Sequence, residues 1–324
     1  AFGSSWFMVG GGESKEQSAI LFNRAVTTES DGAFFAKDFD LKMTLESGQH
    51  FRYEELEGVY FVSIGEAFLR LEQRGAKIIY VGADECAVRA FLGVDETHDM
   101  RLARLIKDPV IEPLLLRYRC LRVMRTDLHD TILSFICSTQ SNIPKIRMNM
   151  MLLAEHCGKD LGMHRSLPTS GTTLRIDDVL RARTGYRAKY LVSANAMLTD
   201  DFMRTLRSSE YLASHALLLS LPGVGPKVAD CICLFALGHG EAFPVDVHVL
   251  RAMKALFPTA RLSNEKKVRA FAQRRWGKDA GYAQQYIFQW AREDLARPSG
   301  AGAARGLIVK RNTERKKVLD GKRR

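Results

Sequence analysis

The chain has 324 residues, enough for two or three domains with cores of their own. Its 46% hydrophobic and 26% charged residues exclude a disordered, collagen-like or disulfide-scaffold chain. No apolar run reaches the ~18 residues of a membrane-spanning helix, and a net charge of +11 makes nucleic acid the first expected partner, ahead of a membrane surface.

Residues 1–37 have weak periodicity and a GGG break, and are expected to be an irregular lead. Their first stretch, AFGSSWFMVGGGESKEQS, lacks the basic and long apolar regions of a secretory leader. From Phe39 the pattern turns to short strands. GVYFVSIG alternates Val59, Phe61 and Ser63, EAFLRLEQ sets Phe68 and Arg70 opposite Leu69 and Leu71, and AKIIYVG follows the QRG turn. This predicts an antiparallel meander with one buried face over 38–104. ADECAVRAFLG closes it as a short helix with Asp84 near its start.

Three-to-four-residue apolar spacing then runs through ten segments, from RLARLIKDPVIEPLLLRYR to AQQYIFQWAREDLA, and predicts a helical body over 105–300. The fold class is α+β: a small antiparallel sheet domain, then a mostly helical body. The final stretch, RGLIVKRNTERKKVLDGKRR (305–324), carries nine bases and two acids, +7 of the total +11. The tail 301–324 is read either as a solvated, disordered segment or as a DNA-binding or nuclear-localisation segment.

Six cysteines (Cys86, Cys120, Cys137, Cys157, Cys231 and Cys233) form no CxxC pair and no zinc spacing. Most lie in apolar runs such as LSFICS and DCICLF, and are read as buried free thiols of an intracellular, reducing compartment.

The chemistry concentrates in LPGVGPKVADCICLFALG, residues 221–238. Gly223 and Gly225 are expected to supply backbone conformations that other residues resist, and Pro226 suits the first position of a helix. Helix, PGVG turn and helix in a basic protein read as a phosphate-binding hairpin, or as a tight corner with no ligand. Lys227 stands at the first turn, where the helix dipole opposes a cation. One reading pairs it with Asp230 on the surface, an interaction of little value. The other makes it a nucleophile that forms a Schiff base, its charged form disfavoured by burial and by the helix terminus. Asp246, in FPVDVHVLRAM, stands alone among apolar residues before a helix, as an N-cap, as a carboxylate facing an electron-deficient centre, or as both.

These two stretches resemble the helix-hairpin-helix/Gly-Pro-Asp superfamily of DNA glycosylases, and within it the 8-oxoguanine DNA glycosylase/lyase family. LESGQHFRY (45–53), LSFICSTQSNIPKI (133–146), TGYRAKYLVSANAML (184–198) and WGKDAGYAQQYIF (276–288) carry the resemblance further, in order, across about 40–292. It implies a TBP-like sheet domain and a bifunctional enzyme. Lys227 would attack C1′ of the damaged nucleotide, Asp246 would stabilise the oxocarbenium charge, and β-elimination would nick the strand. The extruded oxidised purine would lie between Phe288 and Cys231. Gln284 would read its Watson–Crick edge, and the Gly48 carbonyl would accept from the N7–H that undamaged guanine lacks. Tyr186 would wedge the stack and Arg187 would read the orphaned cytosine. Gly223, Gly225 and His248 would contact the phosphates.

The chain departs from the family pattern where an asparagine-rich loop and an arginine are usual. It carries Gln140, Ser141 and Asn142, then Lys145, and a lysine cannot make an arginine's bidentate contact. Gln140, Asn142 and Lys145 remain the expected contacts to the opposite strand, with a weaker preference for cytosine there. No cysteine follows Cys233, so the iron–sulfur loop of endonuclease-III-like relatives cannot form. The resemblance implies no metal site and no required cofactor. The partner is duplex DNA with 8-oxoguanine opposite cytosine, bound by a monomer in the nucleus of a eukaryote or otherwise in the cytoplasm. An alkylated-purine glycosylase and a non-catalytic DNA-binding module are the alternatives; Lys227 with the SGQHF glycine argues against the first, Lys227 with Asp246 against the second.

Overall fold

The computed structural model describes residues 31–95 and 97–295. The first thirty residues and the basic tail, both subjects of expectations above, lie outside them. Five strands, β1 (Gly32–Phe35), β2 (Tyr53–Leu56), β3 (Val59–Ile64), β4 (Ala67–Arg74) and β5 (Lys77–Val81), form one antiparallel sheet in the order β1-β5-β4-β3-β2. Helix α1 (Leu41–Leu45) lies between β1 and β2. After β5 come α2 (Glu85–Leu92), α3 (Thr97–Leu105), α4 (Glu112–Arg117), α5 (Leu128–Ser138), α6 (Ile143–Cys157), α7 (Ile176–Arg181) and α8 (Ala188–Met197). They are followed by α9 (Asp200–Ser208), α10 (Tyr211–Leu218), α11 (Pro226–Ile232), α12 (Val247–Leu256), α13 (Glu265–Trp276) and α14 (Ala280–Trp290). Among the described residues, no helix is long and apolar enough to cross a membrane.

The chain divides into two compact units that cut across the expected boundaries. One holds the described residues up to His98 together with Cys120–His239; the other holds Asp99–Arg119 and the residues from Gly240 onward. The sheet therefore shares its unit with helices α5 to α11, because it packs on them rather than folding as a separate layer. Two local expectations are also corrected. Strand β1 falls inside the stretch expected to be irregular; Phe34 is buried in the sheet core while Phe35 is exposed, so the short GAFF segment alternates as an edge strand should. Phe39 opens a helix, α1, capped by the Asp40 carboxylate on the Met43 N–H, rather than the first strand.

The meander from β2 to β5 is as the alternation predicts, with Leu69, Leu71, Ile78 and Tyr80 on the core face. The β2–β3 turn places Glu57 and Gly58 at φ +51° and +83°, both left-handed, as a two-residue hairpin requires. The inward face of β3 is set by Tyr60 and Val62, not by Val59, Phe61 and Ser63. Phe61 and Ser63 are buried as well. Their face is covered: Phe61 stacks on Phe68, and Phe68 on His164, ring centroids 6.4 and 4.8 Å apart. A strand buried on both faces has no clean period-two signal. Asp84 caps α2 as expected, accepting from Ala87 N–H.

The first unit is organised around Arg52, which is fully buried. Its guanidinium meets the Asp130 carboxylate in the first turn of α5 at 2.8 Å, and the Gly65 N–H donates to the same oxygen at 3.0 Å. Burial opposes the charge on Asp130, but the Arg52 guanidinium outweighs it and holds the carboxyl below its ordinary range. Asp127, the cap of α5, is pushed the other way by burial and by the neighbouring Asp130 charge. In the second unit Asp279 accepts from Arg104 at 2.6 and 2.8 Å, and Asp108 accepts from Trp276 Nε1 at 2.8 Å and from Arg275, tying α3 and the turn after it to α13 and α14.

The buried pair yields a stability prediction. A carboxyl depressed in the folded state contributes stability above its unfolded value, near pH 4, and loses it as the pH falls through the folded value. Asp130→Asn leaves the guanidinium buried without its counter-charge and is expected to cost about 3–5 kcal/mol at pH 7 in urea unfolding. The gap between variant and parent should shrink below about pH 4; a gap independent of pH would contradict the assigned ionisation.

Candidate active site

The hairpin joins α10 to α11 through Leu219–Gly225. Gly223 has φ +83°, and a Cβ built on it would lie 2.9 Å from Cβ of Tyr190 and 3.2 Å from Ile136. Only glycine fits there. Gly225 differs from the expectation. Its φ of −98° suits any residue, and a Cβ on it would meet nothing within 4 Å. Its side of the turn faces open space, so the chain's own packing does not demand glycine there. A cleft of about 330 Å³ is lined by Gly223, Val224 and Gly225 of the hairpin and by Ile136, Thr139, Tyr186, Arg187 and Tyr190. The structure thus brings the hairpin, the STQ turn and the GYRAKY segment onto one surface.

Lys227 lies half-buried in the first turn of α11. Its Nζ donates to the Ser138 hydroxyl at 3.2 Å and sits 5.1 Å from the centroid of the Phe135 ring. The surface pair with Asp230 is not formed. Asp230 is fully buried, accepts from the Tyr211 hydroxyl at 2.8 Å, and lies 3.5 Å from His215 Nε2. Phe135 belongs to an aromatic floor with Phe51 and Phe235, at centroid distances of 5.4 and 5.6 Å. Cys231, one turn beyond the lysine on α11, is buried. All six cysteines are free, but Cys86 is exposed and Cys120 and Cys157 are only partly covered, a correction to their expected burial. Burial pushes the Cys137 thiol up to about 12, and that of Cys157 up to about 11.

Gly48 lies in a left-handed turn at φ +85°. The turn is clamped by its neighbour Gln49, whose amide donates to the Arg122 carbonyl and the Ser47 hydroxyl and accepts from Met124 N–H, at 2.7 to 2.8 Å. Next to it, burial holds His50 neutral, its pKa lowered to about 4.

Gln140 is exposed, with φ +49°. Asn142 caps α6, its side-chain oxygen accepting from Lys145 N–H at 3.0 Å, and Lys145 itself is exposed. Tyr186 is 51% exposed at the mouth of the cleft, in edge contact with Tyr190. Arg187 departs from its expected role as a cytosine reader. It is 4% exposed, its Nε donates to the Thr139 carbonyl at 3.0 Å, and Nη2 donates to the Thr139 and Gln140 carbonyls. A short loop with unpaired carbonyls needs donors, and the arginine supplies them.

In the second unit, Asp246 caps α12, its Oδ1 accepting from Val249 N–H at 2.8 Å. His248, two residues on, is half-buried. Gln284 and Phe288 share a face of α14. Gln284 donates to the Pro244 carbonyl at 3.0 Å, and Arg292 lies over the Phe288 ring at 5.6 Å.

The comparisons with known proteins follow this geometry. The family model described as the N-terminal domain of 8-oxoguanine DNA glycosylase matches residues 33–132. The N-glycosylase/DNA lyase OGG1 of Arabidopsis thaliana is 30% identical over 285 residues, 78% of this chain and 77% of the relative. The chain belongs to the OGG1 family of N-glycosylase/DNA lyases. The N-glycosylase/DNA lyase of Saccharomyces cerevisiae is 28% identical over 334 residues, 84% of this chain and 87% of the relative. Among solved structures, the Clostridium acetobutylicum 8-oxoguanine glycosylase/lyase, in complex with double-stranded DNA containing cytosine opposite 8-oxoguanine, superposes with a TM-score of 0.75 at 28% identity, covering 83% of this chain and 97% of its own.

Within an OGG1-family fold, the partners that sequence reading missed are Ser138, Phe135 and Gln49. All three stand in or beside the blocks that carry the resemblance, yet only the fold shows what they touch. The two hairpin glycines should separate in a melting experiment. Gly223→Ala combines a left-handed backbone with a close contact and should cost about 1–3 kcal/mol. Gly225→Ala should cost less than about 1 kcal/mol. Equal losses would mean that the hairpin packs differently.

Proposed function

We propose that this chain excises 8-oxoguanine from duplex DNA, where the lesion faces cytosine, and then cleaves the abasic strand as a bifunctional glycosylase and lyase. The observation that carries the lyase half is the company of Lys227: a half-buried amine held by a neutral hydroxyl and an aromatic face, with no ion pair among the described residues. An amine tied to a carboxylate would have to break that pair before attacking carbon; this one does not.

The base leaves the stack so that its sugar can be reached. Lys227, having given up a proton, attacks C1′. The electrons of the glycosidic bond depart with the base, which takes up a proton. Opening of the sugar ring gives a C1′=N Schiff base. Loss of a C2′ proton then expels the 3′ phosphate, and the strand is nicked. Asp246 is assigned to stabilise the positive charge that grows as the glycosidic bond lengthens. The Gly48 carbonyl is assigned to accept from the N7–H of the oxidised base; guanine presents a lone pair there instead. Gln284 is assigned to the Watson–Crick edge, Cys231 and Phe288 to the faces of the base, Tyr186 to the vacated stack, and the hairpin amides and His248 to the phosphates. Arg187 is reassigned as the brace of the 139–140 turn rather than a direct reader.

This chemistry calls for no metal ion or cofactor, and one chain supplies every assigned residue, so we assign a monomer. A genomic substrate puts the enzyme inside the cell, in the nucleus of a eukaryote and otherwise in the cytoplasm.

Borohydride trapping tests the assignment of the lysine. Reduction during turnover of an 8-oxoguanine duplex should yield a covalent protein–DNA adduct. Lys227→Gln should abolish it while duplex affinity stays within a few-fold; an adduct that survives the substitution moves the nucleophile elsewhere. The opposite strand supplies a second test. With Lys145 where an arginine is usual, and Arg187 spent on carbonyls, one bidentate contact worth about 1–3 kcal/mol is lost. Single-turnover excision opposite cytosine should exceed that opposite the other bases, but by roughly tenfold less than in relatives that carry the arginine. A preference as steep as theirs would overturn this reading.

A further inference from the structure

The structure assigns a specificity role to Gln285, which we propose is the positioning residue that orients Gln284. The inference rests on the assignment of Gln284 as reader of the Watson–Crick edge. Side chains at consecutive helix positions point in different directions and seldom meet. Gln284 and Gln285 do meet. Both lie on α14, 4% and 3% exposed, and Gln285 Nε2 donates to Gln284 Oε1 at 2.6 Å. Gln284 Nε2 in turn donates to the Pro244 carbonyl at 3.0 Å. The Oε1 of Gln285 has no hydrogen-bond partner among the described residues. The chain of donors therefore runs one way, from Gln285 through Gln284 to a backbone oxygen that can only accept.

A primary amide has two N–H donors and an oxygen with two lone pairs. Gln284 spends one of each on protein, leaving one N–H and one lone pair in a fixed order. A 6-oxopurine offers an acceptor at O6 and a donor at N1; a 6-aminopurine offers the reverse. An amide in one orientation fits the first, and only its turned form fits the second. Turning Gln284 would set its oxygen against the Pro244 oxygen and its nitrogen against the Gln285 nitrogen. Were Gln285 to turn with it, the Gln285 NH2 would lose its only acceptor inside the protein, where orphaned N–H groups are rarer than orphaned carbonyls. Pro244 holds one end of the reader and Gln285 the other. Together they let the enzyme accept 8-oxoguanine and refuse 8-oxoadenine.

The test compares single-turnover excision of 8-oxoguanine and of 8-oxoadenine from otherwise identical duplexes by the full chain and three variants. The ratio between lesions is independent of the fraction of protein that folds, so a destabilised variant still reports. Gln285→Met keeps the volume and removes the donor; it should narrow the preference by about three- to tenfold, the worth of one hydrogen bond. Gln285→Glu keeps the shape but puts an acceptor where the donor was, and should narrow it further. A purely structural residue would show the opposite order, since Glu is the closer isostere. Gln284→Met should lose the preference altogether. An unchanged ratio in both Gln285 variants, with the preference lost in Gln284→Met, would overturn the role of Gln285 alone. An unchanged ratio in Gln284→Met as well would remove the reader and with it the positioning residue.

Discussion

The ion pair between Arg52 and Asp130 is the constraint on which the first unit depends. Arg52 follows the Gly48 turn by four residues, and Asp130 sits in the first turn of α5. Their 2.8 Å contact, with no side-chain exposure on Arg52, fixes the glycine turn against the start of that helix. The last residue of the same helix, Ser138, accepts from Lys227, and Phe135 one turn earlier lies under the ammonium. One helix thereby spaces the base-reading carbonyl from the nucleophile, over about 16 Å for eleven residues. Buried pairs are poor sources of net stability, because desolvation offsets most of the attraction. The return here is register: a shifted Arg52 would leave a buried carboxylate unmatched, so competing packings of the turn are disfavoured.

A second division of charge follows around the hairpin. Asp230 is on α11 with Lys227, close enough in sequence to neutralise it. The fold turns Asp230 inward, where the Tyr211 hydroxyl and His215 of α10 meet it. That contact stitches the two helices of the hairpin together and takes the carboxylate away from the lysine. The amine is left with a weakly polar hydroxyl and a ring face, which hold its position without holding its charge in an ion pair. Positioning of the hairpin and availability of the nucleophile are two consequences of one buried aspartate.

Much of this was legible in the chain. The alternation in β4 and β5, the cap at Asp84, and the hairpin with its lysine each depend on near neighbours, which sequence spacing reports directly. The β3 face was misread because Phe61 and Ser63 are covered by Phe68 and His164, and partners that distant leave no local period. The role of Gly225 was misread because glycine there answers to nothing in the chain's own packing. Arg187 looked like an exposed reader, but its carbonyl partners lie more than forty residues earlier. The Gln284–Gln285 contact is invisible to helix periodicity, which separates adjacent positions. What was lost was tertiary in each case, and two of these four positions bear on recognition of DNA, where local rules are most often broken.

Lys227 and Asp246 break those rules to different degrees, and the difference is informative. A lysine in a first helical turn opposes the dipole, so its presence already asks for a reason beyond folding. Asp246 asks for none: it is a good N-cap, and its Oδ1 accepts from Val249 N–H. Yet capping alone does not select aspartate, because asparagine, serine or threonine would cap as well and add no charge. The carboxylate also has a second oxygen, and Oδ2 accepts no hydrogen bond among the described residues. A cap that uses one oxygen and keeps a full negative charge is over-equipped for its structural task. The surplus, one carboxylate oxygen locked in place by the helix it caps, is what stabilisation of an oxocarbenium ion requires, because the charge is oriented before the bond begins to break.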